Sequence, residues 1–286
     1  ASEPDEIEGF LKGLNHPFAT ALIGAMQAQQ AGRLDRSFLS GFGRFWDRAG
    51  VDDPLVEPAE WDPLLQGAER ALIHSPARSL LVHGSSKVGK STFLKLLGNR
   101  LIAKGWTIFE AGGPELQAGQ SYIGQLEERV RRLATELLVT KRAIWYVPDI
   151  VQIAVSGTHS GQTASILDQV LPALTSGRLI IMSETTPDQL TQLIQLRPNL
   201  KGVFEAVLLE PMTEARTREL VQDYATRLSA RSRIRFDANV VPTALQLARQ
   251  YLDPTHLPGT VFDLVKLAYN QCASQRATSL SARSPT

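Results

Sequence analysis

The chain has 286 residues, of which 43% are hydrophobic, and its formal net charge is +1. This length supports one large domain with one or two small ones, and the balanced charge argues against a dedicated nucleic-acid or membrane surface. No stretch approaches the roughly 18 apolar residues of a membrane span, and the acidic start is unlike a secretory signal, so we expect a cytoplasmic protein. The single cysteine, Cys272, excludes an internal disulfide and a paired thiolate metal site.

Residues 1–57 are predicted to form a helical prefix. Apolar residues recur there at helical spacing, and an aromatic cluster follows, made of Phe38, Phe42, Phe45 and Trp46. Because its members recur mainly three and four positions apart, we expect these rings to pack against the next domain rather than to stack on a ligand.

A phosphate-binding loop is predicted at residues 84–91, which read Gly-Ser-Ser-Lys-Val-Gly-Lys-Ser and match G-x-x-x-x-G-K-[ST]. Backbone N–H groups of such a loop point at the β-phosphate, and the following helix adds partial positive charge at its N-terminus. Lys90 is expected to reach the β- and γ-phosphates of ATP, and the Ser91 hydroxyl to bind Mg²⁺. The residues expected to bind the nucleotide are Gly84, Ser85, Ser86, Lys87, Val88, Gly89, Lys90, Ser91 and Thr92.

Short apolar runs alternate with helical patterns across residues 58–211, which is typical of a parallel sheet wrapped by helices. The runs expected as strands are Leu80–Val82, Thr107–Glu110, Ala143–Val147, Leu179–Ser183 and Ala206–Leu209. The predicted fold class is therefore α/β, a P-loop NTPase sheet flanked by helices. Residues 212–274 read as a C-terminal helical lid, and residues 275–286, rich in Ser, Arg and Thr, as a disordered tail.

An α/β nucleotide domain followed by a helical lid is the layout of AAA+ ATPases, and residues 60–275 resemble the first ATPase ring of Clp-type unfoldases and disaggregases. The segment Trp61–Gly67 is similar to the family motif whose apolar residues sandwich the adenine. The resemblance implies that Leu64 and Leu65 contact the base, although both could equally be plain core residues.

The segment Ser121–Val130 resembles the family's axial loop and the helix behind it. In that family an aromatic side chain on the loop projects into the channel of a hexamer and grips polypeptide, and Tyr122 occupies that position; by itself it would be read as a surface aromatic. A second resemblance covers the lid segment around Pro258. The family carries a charged pair after this proline, whereas this chain has Gly259 and Thr260, which puts coupling between the lid and the nucleotide in doubt there.

The catalytic strand departs from the family pattern. The family strand ends in Asp-Glu, where the aspartate orients the Mg²⁺ shell and the glutamate polarises the attacking water. Here Ala143–Val147 is followed by Pro148 and Asp149. Pro148 offers no oxygen ligand, so Asp149 is expected to serve the metal or to act as a weak base, because one carboxylate is poorly suited to both tasks. The ordinary alternative is that Asp149 is a loop-capping residue.

A second departure lies where the family places arginines that reach the neighbouring subunit's γ-phosphate. Gly202 and Val203 fill those positions, and neither can supply the roughly 10³- to 10⁵-fold rate gain of an arginine finger. Lys201 or Arg197 could substitute in part.

The segment Ser183–Thr186 resembles the strand-end polar motif that positions the lytic water. Thr185 is the expected catalytic residue of this motif. Thr186 precedes Pro187 and Asp188, which is equally typical of a helix cap.

Together these features predict an AAA+ module that binds ATP and Mg²⁺ well and hydrolyses ATP slowly, because the cradle acts on ground-state binding and the missing groups act on the transition state. The first hypothesis is a weak Clp-like ATPase that assembles as a homo-oligomeric ring, or in a larger AAA+ assembly, and acts on polypeptide through Tyr122. The second is a nucleotide-dependent scaffold or signalling switch that binds a partner protein. A nucleic-acid partner has little support, and a fragment of a longer protein is plausible.

Overall fold

The structure is a computed structural model of the chain. It describes residues 10–11, 19, 34–47, 53–119, 123–156, 165–232, 234–251, 253 and 256–281.

Within these residues, six strands form one sheet in the order β1-β3-β4-β5-β2-β6. The strands are β1 (Arg44–Phe45), β2 (Ser79–His83), β3 (Thr107–Glu110), β4 (Ala143–Val147), β5 (Ile181–Thr185) and β6 (Phe204–Leu208). The pairs from β3 to β6 are parallel, and β1 runs antiparallel to β3. The predicted parallel α/β sheet is confirmed, and each of the five predicted runs overlaps a strand.

Helices cover both faces of this sheet and form the C-terminal part. They are α1 (Arg36–Ser40), α2 (Asp62–Ile73), α3 (Lys90–Ala103), α4 (Gly113–Gln117), α5 (Ile123–Val139), α6 (Ile150–Val155), α7 (Ile166–Thr175), α8 (Pro187–Leu196), α9 (Glu214–Arg231), α10 (Val240–Tyr251) and α11 (Gly259–Ser281). Two short 3₁₀ helices span Ala59–Trp61 and Pro198–Leu200. In the described residues, no helix is long and apolar enough to span a bilayer.

The side-chain alternation of the buried strands divides the core in two. Along β4, Trp145 packs with α5 and α7 on one face, whereas Ile144 and Tyr146 pack with α2 and α3 on the other. Successive strand residues point to opposite faces, so a fully buried strand must be apolar at every position. Because β2, β4 and β5 are parallel, their carboxyl ends meet at one edge of the sheet, beside the N-terminus of α3.

The aromatic cluster of the prefix packs on the sheet, as predicted. The rings of Phe42 and Phe45 lie 5.7 and 5.3 Å from that of Phe109, and Trp46 lies 4.7 Å from Tyr146. The expectation of a purely helical prefix needs correction, because β1 adds an edge strand there. Its backbone pairs with the free edge of β3, which a helix could not do.

The three C-terminal helices share a separate hydrophobic cluster that includes Leu220, Tyr224, Leu245 and Val265. The predicted disordered tail is wrong in part, because the backbone of α11 continues to Ser281. From Thr260 to that residue the chain has no glycine or proline, and Ala, Gln and Arg are favourable helix residues, so nothing local ends the helix earlier.

Candidate nucleotide site at the carboxyl ends of the strands

The predicted phosphate loop connects β2 to α3, and Lys90 is the first residue of that helix. The Lys90 Nζ atom donates hydrogen bonds to the carbonyl oxygens of Gly84 at 2.9 Å and Ser85 at 2.8 Å. Burial lowers the pKa of Lys90, and the negative charge of Glu184 opposes part of that shift. A partly buried ammonium held by two neutral carbonyls, at a helix N-terminus, is suited to exchange those bonds for bonds to phosphate oxygens.

The loop carries one residue in an unusual backbone conformation. Lys87 has a φ of 62°, a region that costs side-chain-bearing residues about 1 kcal/mol or more. Two lid contacts hold it there. The Gly259 N–H donates to the Lys87 carbonyl oxygen at 2.8 Å, and the Lys87 ammonium forms an ion pair with Asp263 of α11. The lid therefore contacts the phosphate loop directly, although the charged pair usual in the family is missing.

A cavity of about 190 Å³ lies between the loop and the lid. Its apolar lining comes from the segment before α2 and from lid helices, and includes Pro54, Leu55, Val56, Met212, Tyr224 and Phe262. Gly89 and Thr92 border it on the side of the phosphate loop. An apolar cleft that opens beside a phosphate cradle is suited to a flat aromatic base.

Leu65 is fully buried in the core beneath the sheet, and Leu64 is exposed on α2; neither lines this cavity. The base contacts expected for the two leucines stay predictions. The Trp61 ring, from the same Trp61–Gly67 segment, does line the cavity and also packs against Gly89 of the phosphate loop. Because α2 begins just after Trp61, its helical turn carries the two leucines away from the cleft.

A carboxylate absent from the sequence-based predictions lies beside the loop. The Ser91 hydroxyl donates to the two carboxylate oxygens of Glu184 at 2.8 and 3.1 Å. Burial raises the pKa of Glu184, while the hydrogen bond from Ser91 and the charge of Lys90 oppose the shift. Glu184 belongs to the strand-end motif Ser183–Thr186. Its contact with Ser91 could not be predicted from the sequence, because it depends on the order of the strands in the sheet.

Asp149 takes the capping position that was its ordinary alternative. Its Oδ1 atom accepts a hydrogen bond from the Val151 N–H at 2.9 Å, and this bond caps the N-terminus of α6. Its charge contributes to the raised pKa of Glu184. The metal and base roles expected for Asp149 stay predictions.

The two threonines at the end of β5 have different environments. Thr186 caps α8, where its hydroxyl accepts from the Gln189 N–H at 3.3 Å. The Thr185 hydroxyl is buried and lies 3.4 Å from the Gln189 side-chain oxygen. The water-positioning role of Thr185 stays a prediction.

Arg197 is engaged within its own subunit. Its guanidinium donates two hydrogen bonds to the carboxylate of Asp168, at 2.8 and 2.9 Å, and that carboxylate also accepts from Ser165 at the start of α7. A bidentate pair of this kind is geometrically specific. The suggestion that Arg197 substitutes for an arginine finger is therefore not supported, whereas Lys201 is exposed.

We expect Asp168→Asn to destabilise the protein by about 1 kcal/mol near neutral pH, because the Arg197 pair loses its charge. Burial acts to raise the pKa of Asp168, but hydrogen bonds from Arg197 and Ser165 outweigh it and lower the pKa below 3.8. The stabilisation is thus present above pH 3.8 and is lost as the pH falls through the folded pKa. Urea unfolding of the wild type and of Asp168→Asn, at pH values above and below 3.8, measures the difference in stability. Glu128→Gln, in an exposed ion pair, is the control and should leave stability unchanged.

Tyr122, the expected polypeptide contact, lies outside the described residues.

The sheet, the phosphate loop and the C-terminal helices define a P-loop NTPase fold with a helical lid. Residues 80–204 match the model of the ATPase family associated with various cellular activities (AAA). This part of the chain is similar to an AAA ATPase domain, and the chain is homologous to the Clp-type AAA+ ATPases, which confirms the resemblance.

Two curated relatives illustrate the similarity. The chain is 25% identical to the chaperone protein ClpB of Aquifex aeolicus over 80% of its own length and 24% of that protein. It is 24% identical to ClpL, an ATP-dependent Clp protease ATP-binding subunit of Staphylococcus aureus, over 99% of its own length and 41% of that protein. The chain thus spans less than half the length of these relatives.

Solved structures share the fold. The S. cerevisiae Hsp104:casein complex in its extended conformation has a TM-score of 0.68 at 20% identity, covering 84% of this chain and 42% of that one. The S. cerevisiae Hsp104-ADP complex has the same TM-score and identity and covers 84% of this chain and 34% of that one.

Proposed function

We propose that this chain is an ATP-binding AAA+ module of the Clp type that binds ATP with Mg²⁺, hydrolyses it slowly and assembles with other subunits when nucleotide is bound. The observation that carries the proposal is the Lys90 ammonium, partly buried and held over the phosphate loop by two carbonyl oxygens, beside a mainly apolar cavity bordered by the lid. These features favour binding of the triphosphate at the loop, on one side of Gly89, and binding of the base in the cavity on the other side.

The donors near the loop also fit Mg²⁺. Within the described residues, no group of three or more His, Cys, Asp or Glu side chains could hold a metal ion. Mg²⁺ is commonly bound by one or two protein oxygens together with substrate phosphates, and it neutralises charge on the transferred phosphoryl group. Ser91 offers such an oxygen, so the cation would arrive with the nucleotide.

Slow hydrolysis is supported by how the candidate catalytic groups are engaged. Asp149 caps α6, Pro148 has no side-chain donor or acceptor, and Arg197 is paired with Asp168. Gly202 and Val203 cannot stabilise negative charge on a neighbouring subunit's nucleotide. Since these losses affect the transition state more than the ground state, we expect ATP binding to be retained while ATP hydrolysis is slow.

Steady-state ATP turnover tests this part of the proposal. We expect a slow wild-type rate that exceeds the rate of Lys90→Ala, the control for contaminating ATPases. Equal, near-zero rates in the wild type and Asp149→Ala would remove the motor. A wild-type rate of about 1 s⁻¹ or more that falls in Asp149→Ala would contradict slow hydrolysis and support an active motor.

Assembly is the other measurable part. A ligand that binds one state more tightly stabilises that state, so ATP at the loop can favour an oligomer. We expect the molar mass from light scattering to rise when ATP and Mg²⁺ are added, toward a homo-oligomeric ring. The Clp-type homology supports polypeptide as the substrate class, with Tyr122 as the proposed contact.

The second candidate is a nucleotide-dependent scaffold that binds a partner protein and does not turn over ATP. The direct contact of the lid with Lys87 favours it, because ATP at the loop would then act on the lid position. Equal, near-zero turnover without any change of molar mass on ATP addition would favour this candidate.

A further inference from the structure

Strand β4 lacks the carboxylate expected beside the phosphate loop, and a different strand has one. Pro148 follows β4 directly and offers no oxygen ligand. The Ser91 hydroxyl instead meets the Glu184 carboxylate of β5, with both oxygens within 3.1 Å.

The sheet order explains how Glu184 reaches this point. β5 lies between β4 and β2, and Glu184 is in register with Val82, two residues before the loop begins. Ser183 and Thr185 are buried on either side of it along the strand. Since strand residues alternate, Glu184 points to the same face as Met182, which packs in the cluster with α3. That is the face on which α3 presents Ser91.

The positive charges of Lys90 and Lys95 offset part of the cost of burying the Glu184 carboxylate. A neutral glutamine could accept the same bond from Ser91 without that cost. A carboxylate beside a triphosphate also repels it, because like charges at such distances interact strongly in a partly buried site. A divalent cation bound between the carboxylate and the phosphates attracts both, so the net interaction becomes favourable.

We propose that Glu184 replaces, from β5, the metal-side carboxylate that β4 lacks, and that it holds the divalent cation of the bound nucleotide together with the Ser91 hydroxyl. This inference rests on the proposed nucleotide site and assigns its cation to a residue outside the family pattern. Asp149 then remains a helix cap, and the chain keeps cation binding without a second carboxylate to polarise water.

Calorimetric titration of ATP in the presence of Mg²⁺ or EDTA tests the inference. In the wild type, Mg²⁺ should strengthen ATP binding. In Glu184→Gln the strengthening should fall by about 10- to 100-fold, as is usual when a supporting ligand of a metal is lost. Binding in EDTA should be equal or tighter, since the repulsive charge is gone. Mn²⁺ in place of Mg²⁺, followed by electron paramagnetic resonance, should show weaker retention of the ion in the variant.

Further variants complete the design. Glu128→Gln, at an exposed carboxylate outside the site, is the control and should keep the full Mg²⁺ effect, and Asp149→Asn tests the competing carboxylate. Pro148→Asp, added to Glu184→Gln, should restore part of the effect by returning a carboxylate to β4. The glutamine can still accept from Ser91, so we expect the fold to persist; should it not, Ser91→Ala must lose the same Mg²⁺ effect.

The outcomes separate the two proposals. A full Mg²⁺ effect in Glu184→Gln, or loss of the effect in Asp149→Asn alone, would overturn the role of Glu184 and leave the nucleotide site intact. Absence of ATP binding by the folded wild type in both buffers would remove the nucleotide site and this inference with it.

Discussion

Lys90→Ala should reduce the affinity for ATP by about 3 kcal/mol, roughly two orders of magnitude in Kd. The ammonium is the positive side chain hydrogen-bonded to the loop carbonyls of Gly84 and Ser85, and burial has already removed much of its hydration. A phosphate oxygen would replace those carbonyls, and alanine offers it no donor. Calorimetric titration of ATP with Mg²⁺ measures the change directly.

Lys141→Ala is the matched control, because Lys141 is an exposed lysine outside the site. The same loss of charge there should leave the affinity unchanged. Wild-type affinity in Lys90→Ala, with a normal melting curve, would show that phosphates are not bound at this loop.

The phosphate loop could be found from the sequence because its chemistry is local. Nine consecutive positions, from Gly84 to Thr92, determine a strand end, a loop and a helix start. The prefix aromatics were also predictable as packing residues, since their spacing is a property of one short segment. The edge strand β1 was not, because a two-residue strand exists only through its pairing with β3.

The rest of the site depends on contacts between distant segments. Glu184 and Ser91 are 93 positions apart, and only the order of strands brings them together. Whether Leu64 or Leu65 faces the cavity depends on where α2 starts, which the two residues by themselves do not determine. Arg197 was a reasonable finger candidate by position, but its partner Asp168 lies 29 residues earlier in α7.

The contact between lid and loop has a physical consequence for binding. The carbonyl of Lys87 accepts from the first residue of α11, so the loop conformation and the lid position depend on each other. Lys87 in a left-handed conformation is costly, and its ion pair with Asp263 offsets part of that cost. A change at this junction therefore affects the phosphate site and the base cavity together.

Gly259→Ala should destabilise the lid by about 1–3 kcal/mol and weaken ATP binding by roughly 5- to 150-fold. A Cβ at Gly259 would lie 2.4 Å from the Lys87 carbonyl oxygen and 2.7 Å from its Cβ atom. Both belong to the phosphate loop, so no flexible side-chain end can move aside and α11 must shift. The shift would break the bond to Lys87 and widen the cavity that Phe262 helps to line.

Thermal unfolding and ATP titration of Gly259→Ala measure these two effects, and Gly67→Ala is the matched control. Gly67 lies inside α2, where an added Cβ would meet nothing within 4 Å. The same substitution should therefore stabilise the protein by about 1 kcal/mol, because alanine favours the helix over glycine. Wild-type stability and affinity in Gly259→Ala would mean that the lid does not rest on Lys87. A loss of both properties in Gly259→Ala, beside a gain of stability in Gly67→Ala, would tie the effect to contact with the phosphate loop rather than to the added methyl group.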